Sequence, residues 1–181
     1  MGSGRKLANW AGLAVAAAVI LVFAMPSYRQ GEASVAGTTA HDFPLTLDGK
    51  PAHLSDLRGR VVVLNFWGSW CQPCVEEAPG LNRLQKHLAS RNAVILGVAA
   101  DEDEAAYRKF LTDQGIGYMT YRDPATREQR SPIAESYGTV MVPETYIIDR
   151  QGKIARKIIG YQQWDSPEML AYFDALLAQS L

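Results

Sequence analysis

Hydrophobic residues follow three different patterns along the chain. A nearly continuous apolar run covers residues 7–25, a polar stretch without any period covers residues 26–40, and short apolar runs alternate with amphipathic ones from residue 41 onward. The first pattern predicts a membrane anchor or a signal sequence, the second a flexible linker, and the third a folded domain. We therefore expect three regions, at residues 1–25, 26–40 and 41–181.

The apolar run is long enough to cross a membrane. As a helix it would extend about 29 Å, close to the hydrocarbon thickness of a bilayer. Arg5 and Lys6 precede the run and only Arg29 follows it closely, which favours an amino terminus in the cytoplasm. A cleaved signal sequence is the alternative, because Val22-Phe23-Ala24 resembles a cleavage site. Both interpretations place the folded domain in the periplasm or on the outer face of the cytoplasmic membrane.

Strand and helix patterns alternate within the folded domain. The segments at residues 60–67 and 92–100 are apolar on both faces and rich in β-branched residues, as central strands are. Helical periodicity follows each of them, and a hairpin around Asp149 to Gly152 and an amphipathic helix close the chain. This order predicts an α/β domain with a mixed central β-sheet and helices on both faces.

The composition limits the classes of partner. The 181 residues are 48% hydrophobic and include 18 basic and 19 acidic side chains, for a net charge of −1. Such a chain can bury a core, and its interspersed charges form no basic stripe for nucleic acid. We expect no nucleic-acid partner.

The two cysteines, Cys71 and Cys74, stand with two residues between them where the strand at 60–67 gives way to a helix. A structural disulfide that closes so short a loop would stabilise the protein little. A zinc site is incomplete as well, because His87 is the single histidine downstream of the pair. Thiol–disulfide exchange is the chemistry that this placement favours.

The position of each cysteine on the helix predicts its role. Cys71 lies at the amino terminus of the helix. Free N–H groups there, including that of Cys74, and the helix dipole favour a thiolate nucleophile. Cys74 lies one turn further on, so we expect it to be less exposed and to act as the resolving thiol. The cysteine pair itself carries the electrons, so we expect no bound cofactor and no metal.

The segment NFWGSWCQPC, followed later by VPETYIIDRQGKI, resembles the thioredoxin superfamily. The apolar amino-terminal run, the linker and Glu77, three residues after Cys74, make the chain similar to its membrane-anchored ResA, TlpA and CcmG (DsbE) group. The resemblance implies a thioredoxin-like fold and a cis peptide bond between Val142 and Pro143. It also implies reduction of client disulfides outside the cytoplasm, for example in apocytochrome c, with electrons from a membrane donor of the DsbD or CcdA kind.

Several residues around the cysteines are candidates for the site. Asn65 stands where thioredoxins carry a buried aspartate and cannot accept a proton, so the resemblance makes Glu77 the candidate proton relay. Trp70 is expected to form a half-exposed apolar rim, and the backbone of Val142, before Pro143, to pair with an extended substrate. A further candidate for this site is Glu144.

Three alternatives stay open at this stage. The same fold and cysteine pair could introduce disulfides instead of reducing them, since the direction depends on the reduction potential. A copper-binding or thiol-binding chaperone domain without catalysis would use the same two cysteines. Peroxide reduction would need the cysteine in a T-x-x-C context, whereas Gly68 and Ser69 precede Trp70 and Cys71.

Overall fold

The computed structural model describes residues 35–47, 49–126 and 131–178, all within one compact unit, Val35–Leu181. The predicted anchor at residues 7–25 and most of the predicted linker lie outside the described residues. Within the described ranges, no helix has the length and apolar character needed to cross a bilayer.

Seven strands are formed by the described residues, namely β1 (Pro44–Leu47), β2 (Lys50–His53), β3 (Val61–Trp67), β4 (Ala93–Ala99), β5 (Met119–Arg122), β6 (Glu144–Ile148) and β7 (Ile154–Ile159). The first two pair as a separate antiparallel hairpin. The other five form one sheet in the order β5-β4-β3-β6-β7, in which β3, β4 and β5 are parallel and β6 and β7 antiparallel to their neighbours. This is the mixed sheet that the sequence predicted.

Four α-helices connect or follow these strands, namely α1 (Gln72–Leu88), α2 (Glu104–Asp113), α3 (Pro132–Ser136) and α4 (Pro167–Ala178), and a 3₁₀ turn covers Leu54–Leu57. Their starts carry side-chain caps. The Asp103 carboxylate accepts a hydrogen bond from Ala105 N at 2.8 Å, and the Ser131 hydroxyl accepts one from Ala134 N at 3.1 Å. Such caps satisfy N–H groups that have no partner within the helix.

Neighbouring residues of β3 point to opposite faces of the sheet, which therefore has two apolar layers. Val61 and Val63 pack with α1 and α4 on one face. Val62, Leu64 and Phe66 pack on the other face, with α3, the β1–β2 hairpin and the 3₁₀ turn. The thioredoxin-like α/β fold with helices on both faces is thus confirmed.

The last part of the predicted linker, residues 35–40, contacts the sheet. Gly37 N donates a hydrogen bond to Ile154 O at 2.7 Å, and Ile154 N donates one to Thr38 O at 2.8 Å. Thr39 forms an antiparallel bridge with Lys153. We expected the folded domain to start at residue 41, but these backbone hydrogen bonds extend it to Val35, because a polar segment without periodicity can still pair with a strand through its main chain.

Candidate active site

The cysteine pair lies where β3 ends and α1 begins. Cys71 has extended backbone angles, φ −88° and ψ 106°, and is the residue that caps α1. Its Sγ accepts a hydrogen bond from Cys74 N at 3.2 Å. The sulfur therefore sits at the positive end of the helix, on one of the N–H groups that the sequence predicted as its partner.

The two sulfurs form a disulfide, with 5.2 Å between the Cα atoms of Cys71 and Cys74. Cys74 is the less exposed of the two, at 2% against 5% for Cys71. We expected a more accessible Cys71, but in this oxidised form Trp67, Ala78 and Phe110 pack around the pair. Both cysteines are thus buried in the disulfide form, and Cys74 is the less exposed, as predicted.

A groove of about 230 Å³ opens beside Trp70, the residue before Cys71. Trp70, 47% exposed, and half-buried Val142 both line it, together with Val140 and Met141, which are 68% and 57% exposed. The peptide bond between Val142 and Pro143 is cis, as the resemblance implied. The groove thus brings together Trp70 and Val142, two of the three residues that we predicted as substrate-binding, and Pro143 follows directly after Val142.

Glu77 lies one helical turn beyond Cys74 and is buried, with 2% of its surface exposed. Asn65 Nδ2 donates a hydrogen bond to its Oε1 at 2.9 Å, and Trp164 Nε1 and Gln162 N donate to its Oε2 at 3.1 and 3.3 Å. Asn65 Nδ2 also donates to Thr145 Oγ1 at 2.9 Å. Asn65 therefore holds the carboxyl group of Glu77 in place.

Burial raises the pKa of Glu77 from an ordinary value near 4.5 to about 7, because the charged form loses its hydration inside the protein. The hydrogen bonds from Trp164, Asn65 and Gln162 act in the opposite direction, since they stabilise the carboxylate. Burial is the larger effect. A carboxyl group with this pKa can both accept and release a proton near neutral pH.

Glu144 does not join Glu77. It pairs in register with Phe66, whereas the next residue, Thr145, pairs with Asn65 and shares its hydrogen bond. Because neighbouring residues of a strand point to opposite faces, Glu144 lies on the face of the sheet opposite Glu77. Glu144, which we named as a further candidate for the site, therefore faces away from Glu77.

Two contributions to the site were not predicted from the sequence. Trp164 and Gln162 reach Glu77 from the loop between β7 and α4, a stretch of polar residues with no motif. Asp101, 2% exposed at the end of β4, accepts hydrogen bonds from the backbone N–H and the hydroxyl group of Ser69. The contact between Asp101 and Ser69 fixes the loop that leads into Trp70 and Cys71.

Comparison with known proteins yields consistent similarities. The family model for the AhpC/TSA family matches residues 36–157. The thiol–disulfide oxidoreductase ResA of Bacillus anthracis is 35% identical over 127 residues, 70% of each chain. That of Geobacillus thermodenitrificans is 34% identical over 134 residues, 74% of each chain. The crystal structure of a thiol:disulfide interchange protein DsbE from Chlorobium tepidum has a TM-score of 0.69 and 29% identity, covering 79% of this chain and 98% of that one.

The pKa of Glu77 predicts how stability depends on pH. Between about pH 4.5 and pH 7 the folded protein holds a proton that the unfolded chain has released, so the free energy of unfolding falls as pH rises through this window. The loss is about 3 kcal/mol in total and is complete above the folded-state pKa. Urea unfolding of the oxidised protein at a series of pH values measures it.

Replacement of Glu77 by Gln removes the titrating group. The free energy of unfolding of Glu77→Gln should therefore fall much less between pH 4.5 and pH 7 than that of the unmodified protein. Its exposed neighbour provides the control, and Glu76→Gln should keep the pH dependence of the unmodified protein. Equal declines in the protein with and without Glu77 would show that burial does not raise the pKa of this group.

Proposed function

The chain belongs to the AhpC/TSA family of thioredoxin-like proteins and is a thiol–disulfide oxidoreductase of the ResA/DsbE type. We propose that it reduces disulfides of exported client proteins. The observation that carries the proposal is the buried carboxyl group of Glu77, one turn beyond Cys74, with a pKa of about 7. A group of this kind can take the proton of a resolving thiol at neutral pH.

The first half of the reaction belongs to Cys71. Its thiolate attacks one sulfur of the client disulfide, the client S–S bond breaks, and the departing client sulfur takes a proton from solvent. A mixed disulfide between Cys71 and the client results. The hydrogen bond from Cys74 N and the amino terminus of α1 favour the thiolate that this step needs.

The second half belongs to Cys74 and Glu77. The thiol of Cys74 gives its proton to the Glu77 carboxylate, and the resulting thiolate attacks Sγ of Cys71. The mixed disulfide breaks, the second client sulfur leaves as a thiolate, and the Cys71–Cys74 disulfide forms. Two electrons have moved from the cysteine pair to the client, so no bound cofactor is needed.

The direction of the reaction also follows from Glu77. When ionised, its charge disfavours a thiolate at nearby Cys74, so the reduced form is stabilised less than it would be without this group. A less stabilised dithiol gives up its electrons more readily. The charge of Glu77 therefore favours a reductant over a disulfide-introducing oxidase.

The client and the location are part of the same proposal. The groove beside Trp70 and Val142 would receive an extended client segment, for example in apocytochrome c before haem attachment. The apolar run at residues 7–25 would anchor the chain in the cytoplasmic membrane with its domain outside. The Cys71–Cys74 disulfide would then be reduced again by a membrane donor of the DsbD or CcdA kind.

We expect the midpoint potential of the Cys71–Cys74 pair to lie near about −250 mV or lower, in the range of reductants. The protein is equilibrated in glutathione or dithiothreitol redox buffers, and the fraction of reduced protein, measured by alkylation of its thiols, gives this potential. A potential near about −120 mV would instead identify an oxidase.

The Cys74→Ala variant should trap clients on Cys71, because the resolving step is missing and the mixed disulfide persists. Expressed as the full chain, it should yield covalent complexes whose peptides, identified by mass spectrometry, contain a C-x-x-C-H haem-attachment sequence. The double variant Cys71→Ala, Cys74→Ala is the control and should trap nothing. Clients that lack this sequence would contradict the assignment to apocytochrome c.

The proton relay predicts a kinetic effect at the resolving step. Glu77→Gln should slow the decay of a preformed mixed disulfide by about 10²-fold at pH 7, since general-base assistance is lost. The rate in the unmodified protein should rise with pH and level off above about pH 7, where Glu77 is ionised. Stopped-flow measurements between pH 5 and 9 test this, with Glu76→Gln as the control, and identical pH profiles would exclude the relay.

A further inference from the structure

A further buried carboxyl group lies under the segment that lines the groove. Glu144, at the start of β6, has no exposed surface. Its Oε1 accepts hydrogen bonds from Thr139 Oγ1 at 2.7 Å and from Tyr146 OH at 2.6 Å, and Lys157 Nζ on β7 lies 3.0 Å away. We call these four residues the Glu144 cluster.

The Glu144 cluster has no part in the sulfur chemistry proposed above, since it lies on the face of the sheet opposite Glu77. Burial of its charged groups nevertheless costs free energy. Burial of a carboxylate is costly unless it is paired, and Lys157, whose side chain is 11% exposed, provides the positive charge. Glu144 Oε2 is buried without a hydrogen-bond partner among the described residues. Apolar residues would fill this space at a lower cost, so a positional role is the better explanation.

The cluster is connected directly to the groove by Thr139, the first residue of the segment Thr139–Val142. Thr139 N donates a hydrogen bond to Ala134 O at 3.0 Å, and its hydroxyl group donates to Glu144. At the other end, Pro143 O accepts a hydrogen bond from Gly160 N at 2.8 Å. Between these two attachments the side chains of Val140 and Met141 are exposed beside Trp70.

We propose that Thr139 and Lys157, acting through Glu144, hold the segment Thr139–Val142 in the position in which it receives a client, and so determine affinity for protein clients. They are positioning residues, because neither touches the sulfurs. The inference rests on the proposed reduction of protein disulfides, and it adds which residues outside the cysteine helix set client binding.

The test compares two substrates with different needs. A peptide with a C-x-x-C disulfide needs both the groove and the cysteines, whereas hydroxyethyl disulfide is too small to need the groove. Thr139→Val keeps the shape of the side chain and removes the hydrogen bond to Glu144. It should raise KM for the peptide about 10-fold with kcat unchanged, the effect of about one buried hydrogen bond. Its rate with hydroxyethyl disulfide and its midpoint potential should not change.

Three more variants separate positioning from general stability. Thr139→Ser retains the hydroxyl group and should restore the KM of the unmodified protein. Lys157→Met, which removes the charge on the other side of Glu144, should raise KM in the same way as Thr139→Val. Ser136→Ala is the matched control, because Ser136 Oγ donates only to Ile133 O of the same helix, at 2.7 Å, and KM should stay constant.

An unchanged peptide KM in Thr139→Val would overturn the inference and leave the proposed function intact. Equal losses with the peptide and with hydroxyethyl disulfide would also overturn it, because they would indicate a disturbed cysteine site. If the unmodified protein reduced hydroxyethyl disulfide but no peptide disulfide, the proposed function would fail, and this inference with it.

Discussion

Glu77 enters the protein interior on the second turn of α1, where burial raises the pKa of its carboxyl group to about 7 and three hydrogen bonds hold it in place. Those donors come from β3 and from the loop before α4, so the sheet, the cysteine helix and the carboxy-terminal region meet at this one group. In the proposed mechanism the chemistry of Cys74 depends on that meeting point, because Glu77 would be the base for the resolving thiol. Asn65 cannot take this role, since an amide does not accept the proton.

Neighbouring side chains of β6 lie on opposite faces of the sheet, one near Glu77 and the other under the groove. Thr145 points towards α1 and shares the hydrogen bond of Asn65, on the side of the proton chemistry. Glu144, its neighbour, points to the other side and contacts Thr139 under the groove. Since Glu144 and Thr145 are neighbours at the start of β6, one strand end contacts both the surroundings of Glu77 and the segment proposed to bind clients.

Trp70 and Asp101 illustrate how the loop between β3 and α1 is held while its surface stays open. The buried carboxylate of Asp101 accepts the N–H of Ser69, which fixes the backbone just before the first cysteine. Trp70 then lies over Gly68, where a Cβ atom would come within 2.6 Å of its ring. A hydrogen-bonded backbone beneath an exposed ring suits the proposed binding of extended segments, because a backbone that is already ordered loses less conformational entropy on binding.

The sequence by itself determined the α/β order, the central strands and the cysteine pair at a helix start, because periodicity, caps and short motifs act over a few residues. The family resemblance added Glu77 as a candidate. The sequence did not reveal Trp164, Asp101 or the contact between Thr139 and Lys157 through Glu144. It also grouped Glu144 with the thiol site and ended the linker at residue 40. Only the tertiary structure decided these points, since they depend on strand register and on loops that are distant in sequence but adjacent in space. Burial, which sets the pKa of Glu77, is likewise a property of the packed fold.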